Sequence, residues 1–121
     1  MTSASYSALP SPDDTPLDWV CLNVVVPSHA EDRLIDYLMS VPAEESIEFS
    51  MHHVAARGPF VSMQPGEESV RGFASRVEAT LLLSRSACVR VLPRIREVLQ
   101  GTDGGYWITP VGDAGRFGRA R

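Results

Sequence analysis

The chain has 121 residues, of which 44% are hydrophobic, and a formal net charge of −4 at pH 7. This length and composition predict one globular domain, and the acidic balance argues against a protein that binds nucleic acid or an anionic membrane through basic patches. All eleven basic residues are arginines, which excludes chemistry that requires a lysine, such as a Schiff base or a P-loop.

The N-terminal region is predicted to be a flexible leader over residues 1–17. It is rich in Ser, Pro, Ala and Asp and has no apolar periodicity. It also has neither the basic nor the apolar region of a signal peptide. No apolar run in the chain approaches the roughly 20 residues that span a bilayer. We therefore expect a cytoplasmic protein that does not insert into a membrane.

The folded part is predicted to begin with a strand and a helix. Residues 19–26 are β-branched and almost continuously apolar, which is typical of a strand covered on both faces. Ser28 and Glu31 have the spacing of a capping box, so a helix is predicted over residues 29–40, ending before Pro42.

The middle of the chain is predicted to hold two strands joined by a long loop. From Ile47, apolar and polar residues alternate to about Val54, which predicts the second strand. Residues 56–73 contain three glycines and two prolines and have no period. Loops of this length in compact domains are usually functional or disordered. Residues 75–83 are predicted to form the third strand.

The last part of the chain is predicted to hold a helix, a turn and a strand. Ser86 can open the second helix, and Pro93 inside it predicts a kink or a late start. The glycine-rich turn 101–105 precedes a fourth strand over residues 106–111. Residues 112–121 form a Gly- and Arg-rich tail.

This β-α-β-β-α-β order predicts an α+β domain with a ferredoxin-like fold over residues 18–111. The expected architecture is a four-stranded antiparallel sheet with both helices on one face. The first strand has apolar residues on both faces, for example Leu22 on one and Cys21 and Val25 on the other. One helix layer covers only one face, so we expect the second face to pack against other copies of the chain.

The cysteines and histidines permit two interpretations each. Cys21 and Cys88 lie far apart in apolar runs without CxxC spacing, which favours reduced buried thiols over a disulfide or a metal pair. His52 and His53 are adjacent on a strand and point to opposite faces, so each can bind a metal only with groups from elsewhere, for example across a trimer axis. The neighbouring methionines, Met51 and Met63, are soft donors that suit Cu(I). The alternative is a solvent or interface histidine beside core methionines.

Three segments together resemble the PII signal-transduction superfamily, over about residues 18–117. The first strand and helix follow each other without insertion, and the long loop 56–73 stands where PII proteins carry their T-loop. The run from Gly101 to Val111 is similar to the PII pattern of a Gly-Asp-Gly-Lys turn and an apolar strand ending in Ser-Pro-Val. The ending Tyr-Trp-Ile-Thr-Pro-Val, the helix at Ser28 and the loop more closely resemble an uncharacterised PII-like family often associated with heavy-metal efflux systems.

The resemblance implies a trimer whose sheets face inward. Each of three clefts between subunits would hold a small effector, usually an adenine nucleotide, and binding would reorder the loop that docks on a target such as a transporter. The residues that match the ligand-binding pattern are Gly101, Asp103, Gly104, Gly105, Arg116 and Arg119. The loop residues expected to dock on a partner are Arg57, Gly58, Glu67, Glu68 and Arg71.

The sequence departs from the PII pattern at two places. Gly105 stands where PII proteins have a phosphate-binding lysine, which argues against tight triphosphate binding by the usual scheme. Asp103 and Gly104 match the turn, so backbone N–H groups can still hold an anion, with Arg116 and Arg119 as the positive charge. The loop contains no tyrosine, so uridylylation there is not expected. The alternatives without a function are an ordinary connecting turn at residues 101–105, a solvated loop at residues 56–73 and a disordered tail at residues 112–121.

No Ser-His-Asp or Cys-His arrangement, HExxH motif or P-loop is found, so the protein is not expected to be an enzyme. The leading hypothesis is a trimeric regulator that binds an adenine nucleotide or another small anion and signals to a partner, such as a transporter. The second is a metal-binding accessory protein of a heavy-metal efflux system, acting through His52 and His53. The third is an interaction module without a small ligand.

Overall fold

The computed structural model describes residues 18–42, 47–60, 66, 72 and 74–118. The elements in chain order are β1 (Trp19–Val26), a short 3-10 helix (Ser28–Ala30), α1 (Glu31–Ser40), β2 (Glu48–Ala56), β3 (Ala74–Ser84), α2 (Arg85–Val98) and β4 (Gly105–Pro110). The predicted leader 1–17 lies outside the described residues. The first predicted strand, 19–26, is found with the same bounds, and the other strands differ by one or two residues at their ends.

The four strands form one antiparallel sheet in the order β2-β3-β1-β4. This order and the two helices confirm the predicted ferredoxin-like fold. The segment between β2 and β3, residues 57–73, is called the loop below. Because β1 and β3 are the central strands, the sheet leaves β2 and β4 as its two edges.

The core lies between the sheet and both helices. Alternate residues of β1 and β3 point into it, as the period of two requires. They meet apolar residues of α1 and α2 in a single cluster, whose members include Val20, Leu22, Val24, Val26, Leu34, Leu38, Val77, Ala79, Leu81, Leu83, Val91 and Ile95. Both helices therefore cover the same face of the sheet, as predicted.

The opposite face of the sheet, called the open sheet face, is mixed in polarity. Asn23 on β1 is paired in register with Thr80 on β3, and the Thr80 hydroxyl donates to Asn23 Oδ1 over 3.4 Å. Cys21 is half-buried there, whereas Val25 is buried. Within the described ranges no helix packs on this face, so the expectation that β1 is covered on both faces is met only in part by a single chain.

The predicted capping box at Ser28 is wrong. Ser28 is already inside the 3-10 helix, whose N-cap is the extended residue Pro27, and α1 begins only at Glu31. An N-cap needs extended backbone so that its side chain can turn back to the N–H groups of the first turn. Proline at 27 takes that backbone conformation, so Ser28 enters the first turn and its hydroxyl does not cap α1.

The second helix begins at Arg85, one residue before Ser86, the serine predicted to open it, and its N-cap is Ser84. The Ser84 hydroxyl accepts a hydrogen bond of 3.1 Å from the Ala87 amide. Pro93 lies inside this helix, so the predicted late start is wrong. Pro93 is exposed, and Val89, four residues earlier, is 69% exposed, so water can bond the carbonyl that proline leaves free. No helix in the described part of the chain is long and apolar enough to cross a membrane.

Candidate functional site

A cleft of about 540 Å³ opens where β1 ends and β4 begins. It is called the turn cleft below. Three consecutive residues of β1 line the cleft. Because successive strand residues point to opposite faces of the sheet, the cleft extends around the end of the sheet. Most of its walls are apolar, and the lining residues are Val24, Val25, Val26, Phe60, Ile95, Arg96, Leu99, Thr102, Asp103, Gly104, Gly105 and Tyr106.

The glycine-rich turn forms one wall of this cleft. Gly104 has a φ of +119°, and a side chain there would overlap the carbonyl oxygen of Val25. Only glycine permits this close approach of the turn to the end of β1. Asp103, Gly104 and Gly105, three of the four predicted turn residues, line the cleft. Gly101 lies at the end of α2 with a φ of +81° and is not part of the lining.

Arg33 on α1 holds the glycine-rich turn and the end of α2 in place through two hydrogen bonds. Its Nη2 donates to Thr102 Oγ1 over 2.8 Å, and its Nη1 donates to the carbonyl of Val98 over 3.2 Å. A guanidinium at the C-terminal end of a helix satisfies carbonyls that have no partner within the helix and matches the negative end of the helix dipole. No local sequence pattern points to Arg33, because its two contacts lie more than 60 residues away along the chain.

Arg76 and Asp103 form an ion pair next to the turn cleft. Arg76 Nη2 lies 3.5 Å from Asp103 Oδ2, with the Arg76 side chain 1% exposed and the Asp103 side chain 32% exposed. The Arg76 Nη1 also donates to the carbonyl of Ser75 over 2.8 Å. This contact, too, was not predicted, although an arginine inside the mainly apolar third strand was a visible signal.

Phe60, from the start of the loop, packs against Gly105. A Cβ on Gly105 would lie 2.7 to 2.9 Å from three carbon atoms of the Phe60 side chain. Gly105 is the position at which the resemblance places a lysine in PII proteins. Phe60 therefore fills the space that a longer side chain at residue 105 would need. The wall presented to a ligand here is aromatic and apolar instead of cationic.

The base of the loop is closed by a hydrogen bond from a side chain to the backbone. Arg57 Nη1 donates to the carbonyl of Gly72 over 2.9 Å, which joins the two ends of the loop. Gly58 is extended and exposed beside Arg57. The other residues predicted to dock on a partner, Glu67, Glu68 and Arg71, lie outside the described residues.

Arg116 lies at the opposite end of the sheet from the turn cleft. It lines a second groove with Trp19, Glu48, Leu82 and Phe117, called the tail groove below. Trp19 and Val25 stand six residues apart on β1, which is about 20 Å. One chain therefore does not bring Arg116 and the glycine-rich turn together. Arg119 lies outside the described residues.

His52 and His53 point to opposite faces, as predicted. His52 lies on the open sheet face, where its Nε2 is 3.8 Å from Glu78 Oε1. His53 lies on the helix-side face, together with Phe49 and Met51, which pack against the core. Among the residues with described positions, no group of three or more His, Cys, Asp or Glu side chains could hold a metal ion. Met63 is outside these residues.

Both cysteines are free. Cys88 is buried in the core, and this burial raises the pKa of its thiol although the nearby Arg85 guanidinium acts in the opposite direction. A thiol with a raised pKa is a poor nucleophile at neutral pH. The interpretation of two buried thiols holds for Cys88, whereas Cys21 is only half-buried.

Comparisons with known proteins agree with this architecture. A DUF3240 family protein from Shewanella baltica OS155 is similar in structure, with a TM-score of 0.63 and 16% identity, covering 82% of this chain and 96% of that chain. Arabidopsis thaliana PII bound to citrate has a TM-score of 0.59 and 13% identity, covering 84% of both chains. Identities this low show a shared fold, which confirms the predicted PII-like architecture.

The sequence itself was compared with curated proteins and with family models. None of the curated proteins matches. One family model, described as a protein of unknown function (DUF3240), matches residues 17–118. Because this match spans most of the chain, the protein belongs to the DUF3240 family.

Proposed function

We propose that this protein is a PII-like regulator that binds a small effector in the turn cleft and signals through the loop to a partner protein. The observation that carries this proposal is that the loop and the turn meet in one cleft. Phe60 from the loop and Asp103 and Gly104 from the turn line the same space. An effector that occupies this space would contact the loop directly and bias its conformation.

The chemistry of the turn cleft suits a ligand with an apolar ring and one polar end. Phe60 and Tyr106 offer aromatic surfaces, and several valine and leucine side chains complete the apolar walls. Backbone N–H groups of the turn and Arg96 on α2 are the groups that could receive an anion. We infer an adenine nucleotide or another small anion as the effector, held without the lysine of PII proteins.

A second copy of the chain completes this scheme. Arg116 is too far from the turn cleft of its own chain, so it can serve the cleft only from a neighbouring copy. The open sheet face, with half-buried Trp19, Leu82 and Cys21, is the surface that copies could share. We propose a homotrimer with these faces turned inward, the number three resting on the resemblance to PII proteins. The partner reached through the loop would be a transporter, and the cytoplasmic location stays a prediction.

The experiment that tests the proposal is a thermal-shift panel on the purified full chain. The ligands are AMP, ADP, ATP, cyclic AMP, bicarbonate, citrate, and divalent or cuprous metals. A ligand at 100 times its Kd stabilises the folded state by about 2.7 kcal/mol, which shifts the Tm of a domain of this size by several degrees. We expect a nucleotide or citrate to raise the Tm, and a chain that responds to none of these ligands would be an interaction module instead.

The Arg116→Ala variant tests the second-copy part of the proposal. The loss of this cation should weaken anion binding by roughly tenfold, which corresponds to one charge-assisted hydrogen bond. Arg94→Ala is the matched control, because Arg94 is exposed on α2 and pairs there with Glu97. Equal affinity of the two variants for the anion would remove the tail from the site.

A second candidate function is a metal-binding accessory protein of a heavy-metal efflux system. The observation that favours it is the approach of His52 to Glu78 on the open sheet face, where copies of the chain would bring several such pairs near one axis. Zn²⁺ and Ni²⁺ accept imidazole and carboxylate ligands. His52→Ala should then abolish metal-induced stabilisation, and His53→Ala should not, because His53 lies on the other face. Equal stabilisation of both variants would exclude this site.

A further inference from the structure

Arg76 is the most deeply buried charged residue among those the structure describes. The whole residue is 2% exposed, and it lies on β3 two residues after that strand begins. A buried guanidinium is costly unless carboxylates or carbonyls face it. Two such groups are the Ser75 carbonyl, on the backbone of the same strand, and the Asp103 carboxylate, on the glycine-rich turn.

The ion pair joins two parts of the molecule that are separate in sequence. Arg76 lies near the start of β3, where the chain returns from the loop. Asp103 lies in the wall of the turn cleft. The turn itself is held at a fixed position, because Gly104 lies against the Val25 carbonyl and Arg33 bonds Thr102. The turn is therefore a firm anchor for the end of the loop.

Asp103 differs from Arg76 in its access to solvent. Its side chain keeps 32% of its surface exposed, and its pair with Arg76 at 3.5 Å is longer than the 2.7 to 2.9 Å of a strong charge-assisted bond. A ligand in the turn cleft that donates an N–H or O–H to Asp103 would compete with Arg76 for the carboxylate. The Asp103 carboxylate can therefore interact with a ligand in the turn cleft or with Arg76 at the start of β3.

We propose that the Arg76–Asp103 ion pair couples the turn cleft to the loop, so that Asp103 holds the loop's return strand in place until a hydrogen-bond donor in the cleft draws the carboxylate away. The part that concerns the ligand rests on the proposed function. The part that concerns the anchoring of the loop does not, and it can be tested with no ligand present.

The test is limited trypsin digestion of the Asp103→Asn variant, with fragments identified by mass spectrometry. Asparagine keeps the size of the side chain and removes its charge. Cleavage after Arg57 and Arg71, which lie in the loop, should become roughly tenfold faster, because cleavage follows the population of the locally open state. Cleavage within α2, after Arg85 and Arg94, should change by less than about twofold.

Two further variants make the result unambiguous. Glu97→Gln removes an exposed carboxylate that pairs with Arg94 on α2, and its loop should be cleaved at the wild-type rate. Asp103→Glu keeps the carboxylate and should stay close to the wild type. The proposal is overturned if Asp103→Asn and Glu97→Gln give equal loop cleavage, if cleavage in α2 accelerates equally, or if Asp103→Glu releases the loop as strongly as Asp103→Asn. Because no ligand is used, failure of the proposed effector binding would leave this result unaffected.

Discussion

Gly104, with a backbone φ of +119°, lies so close to the carbonyl oxygen of Val25 that a Cβ on residue 104 would overlap it. This contact places the glycine-rich turn on the end of β1 and fixes where β4 begins, one residue later. The contact also determines where the turn cleft lies, because Asp103 and Gly105, the residues on either side of Gly104, line the cleft.

Gly104→Ala should be strongly destabilising. The new methyl group would meet the Val25 backbone, and an L-residue at positive φ adds strain, so we expect a loss of at least about 3 kcal/mol in the free energy of unfolding. Gly101→Ala is the control, because it has a similar φ sign but open space around its Cβ position, and should cost about 1 kcal/mol. Denaturant unfolding of both variants measures the difference, and equal losses would show that the Val25 contact is unimportant.

Gly105→Ala should displace Phe60 with little effect on overall stability. The three atoms nearest to the added methyl group all belong to the half-exposed side chain of Phe60, near the start of the loop, which can move away. We expect a change below about 1 kcal/mol in the free energy of unfolding but faster chymotrypsin cleavage after Phe60. Gly112→Ala, which meets no atom within 4 Å, should leave that cleavage unchanged. If both variants are cleaved at the same rate, Phe60 is not held by Gly105.

Ser84→Ala should weaken the start of α2. The hydroxyl accepts the Ala87 amide hydrogen, and loss of an N-cap of this kind costs about 1 kcal/mol. Ser86→Ala tests the serine that the sequence predicts to open the helix, and because the Ser86 hydroxyl bonds the Ser84 hydroxyl over 3.2 Å and no backbone N–H of the described first turn, we expect a smaller loss. Thermal unfolding compares the two, and a larger loss for Ser86→Ala would contradict the assignment of the cap.

Cys21 should react with iodoacetamide at pH 8 well before Cys88 in the folded protein. Cys88 is 4% exposed and its pKa is raised by burial, so the thiolate that reacts is scarce and shielded. Mass spectrometry of each cysteine peptide gives the two rates. Faster labelling of Cys88 would mean that the helix-side core opens readily.

The raised pKa of Cys88 also has a consequence for the pH dependence of stability. The folded state favours the protonated thiol, so its contribution is complete below the pKa of the unfolded thiol, about 8.5, and is lost as pH rises through the higher folded value. Between pH 8 and 10 the wild type should therefore lose more unfolding free energy than Cys88→Ala. The reverse order would contradict the direction of the shift.

The sequence predicted the sheet well because period and β-branching are local signals. Residues 19–26 read as a strand with the same bounds that the structure has. The helix starts were less predictable, since Ser28 and Ser84 look alike in sequence and only Ser84 has the extended backbone that a cap needs. Pro27 decides this difference, because it takes the extended position before Ser28.

The candidate site was predictable only in part. The turn residues Asp103 and Gly104 were found through a contiguous pattern. Arg33 and Phe60 contribute through contacts between distant parts of the chain, which no spacing rule reveals. The prediction that Arg116 and the glycine-rich turn form one site fails within a single chain. The turn precedes β4 and the tail follows it, so the two lie at opposite ends of the sheet.

Binding of a small effector in the turn cleft is what we propose for this protein. The most direct measurement is a series of ¹H–¹⁵N spectra of the labelled full chain, titrated with AMP, ADP and ATP. We expect saturable shifts of the Thr102, Gly104 and Gly105 amides with at least one nucleotide, while the amide of Leu38 in α1 keeps its position. Shifts confined to residues around Trp19 and Phe117, or no shift with any nucleotide at millimolar concentration, would contradict this proposal.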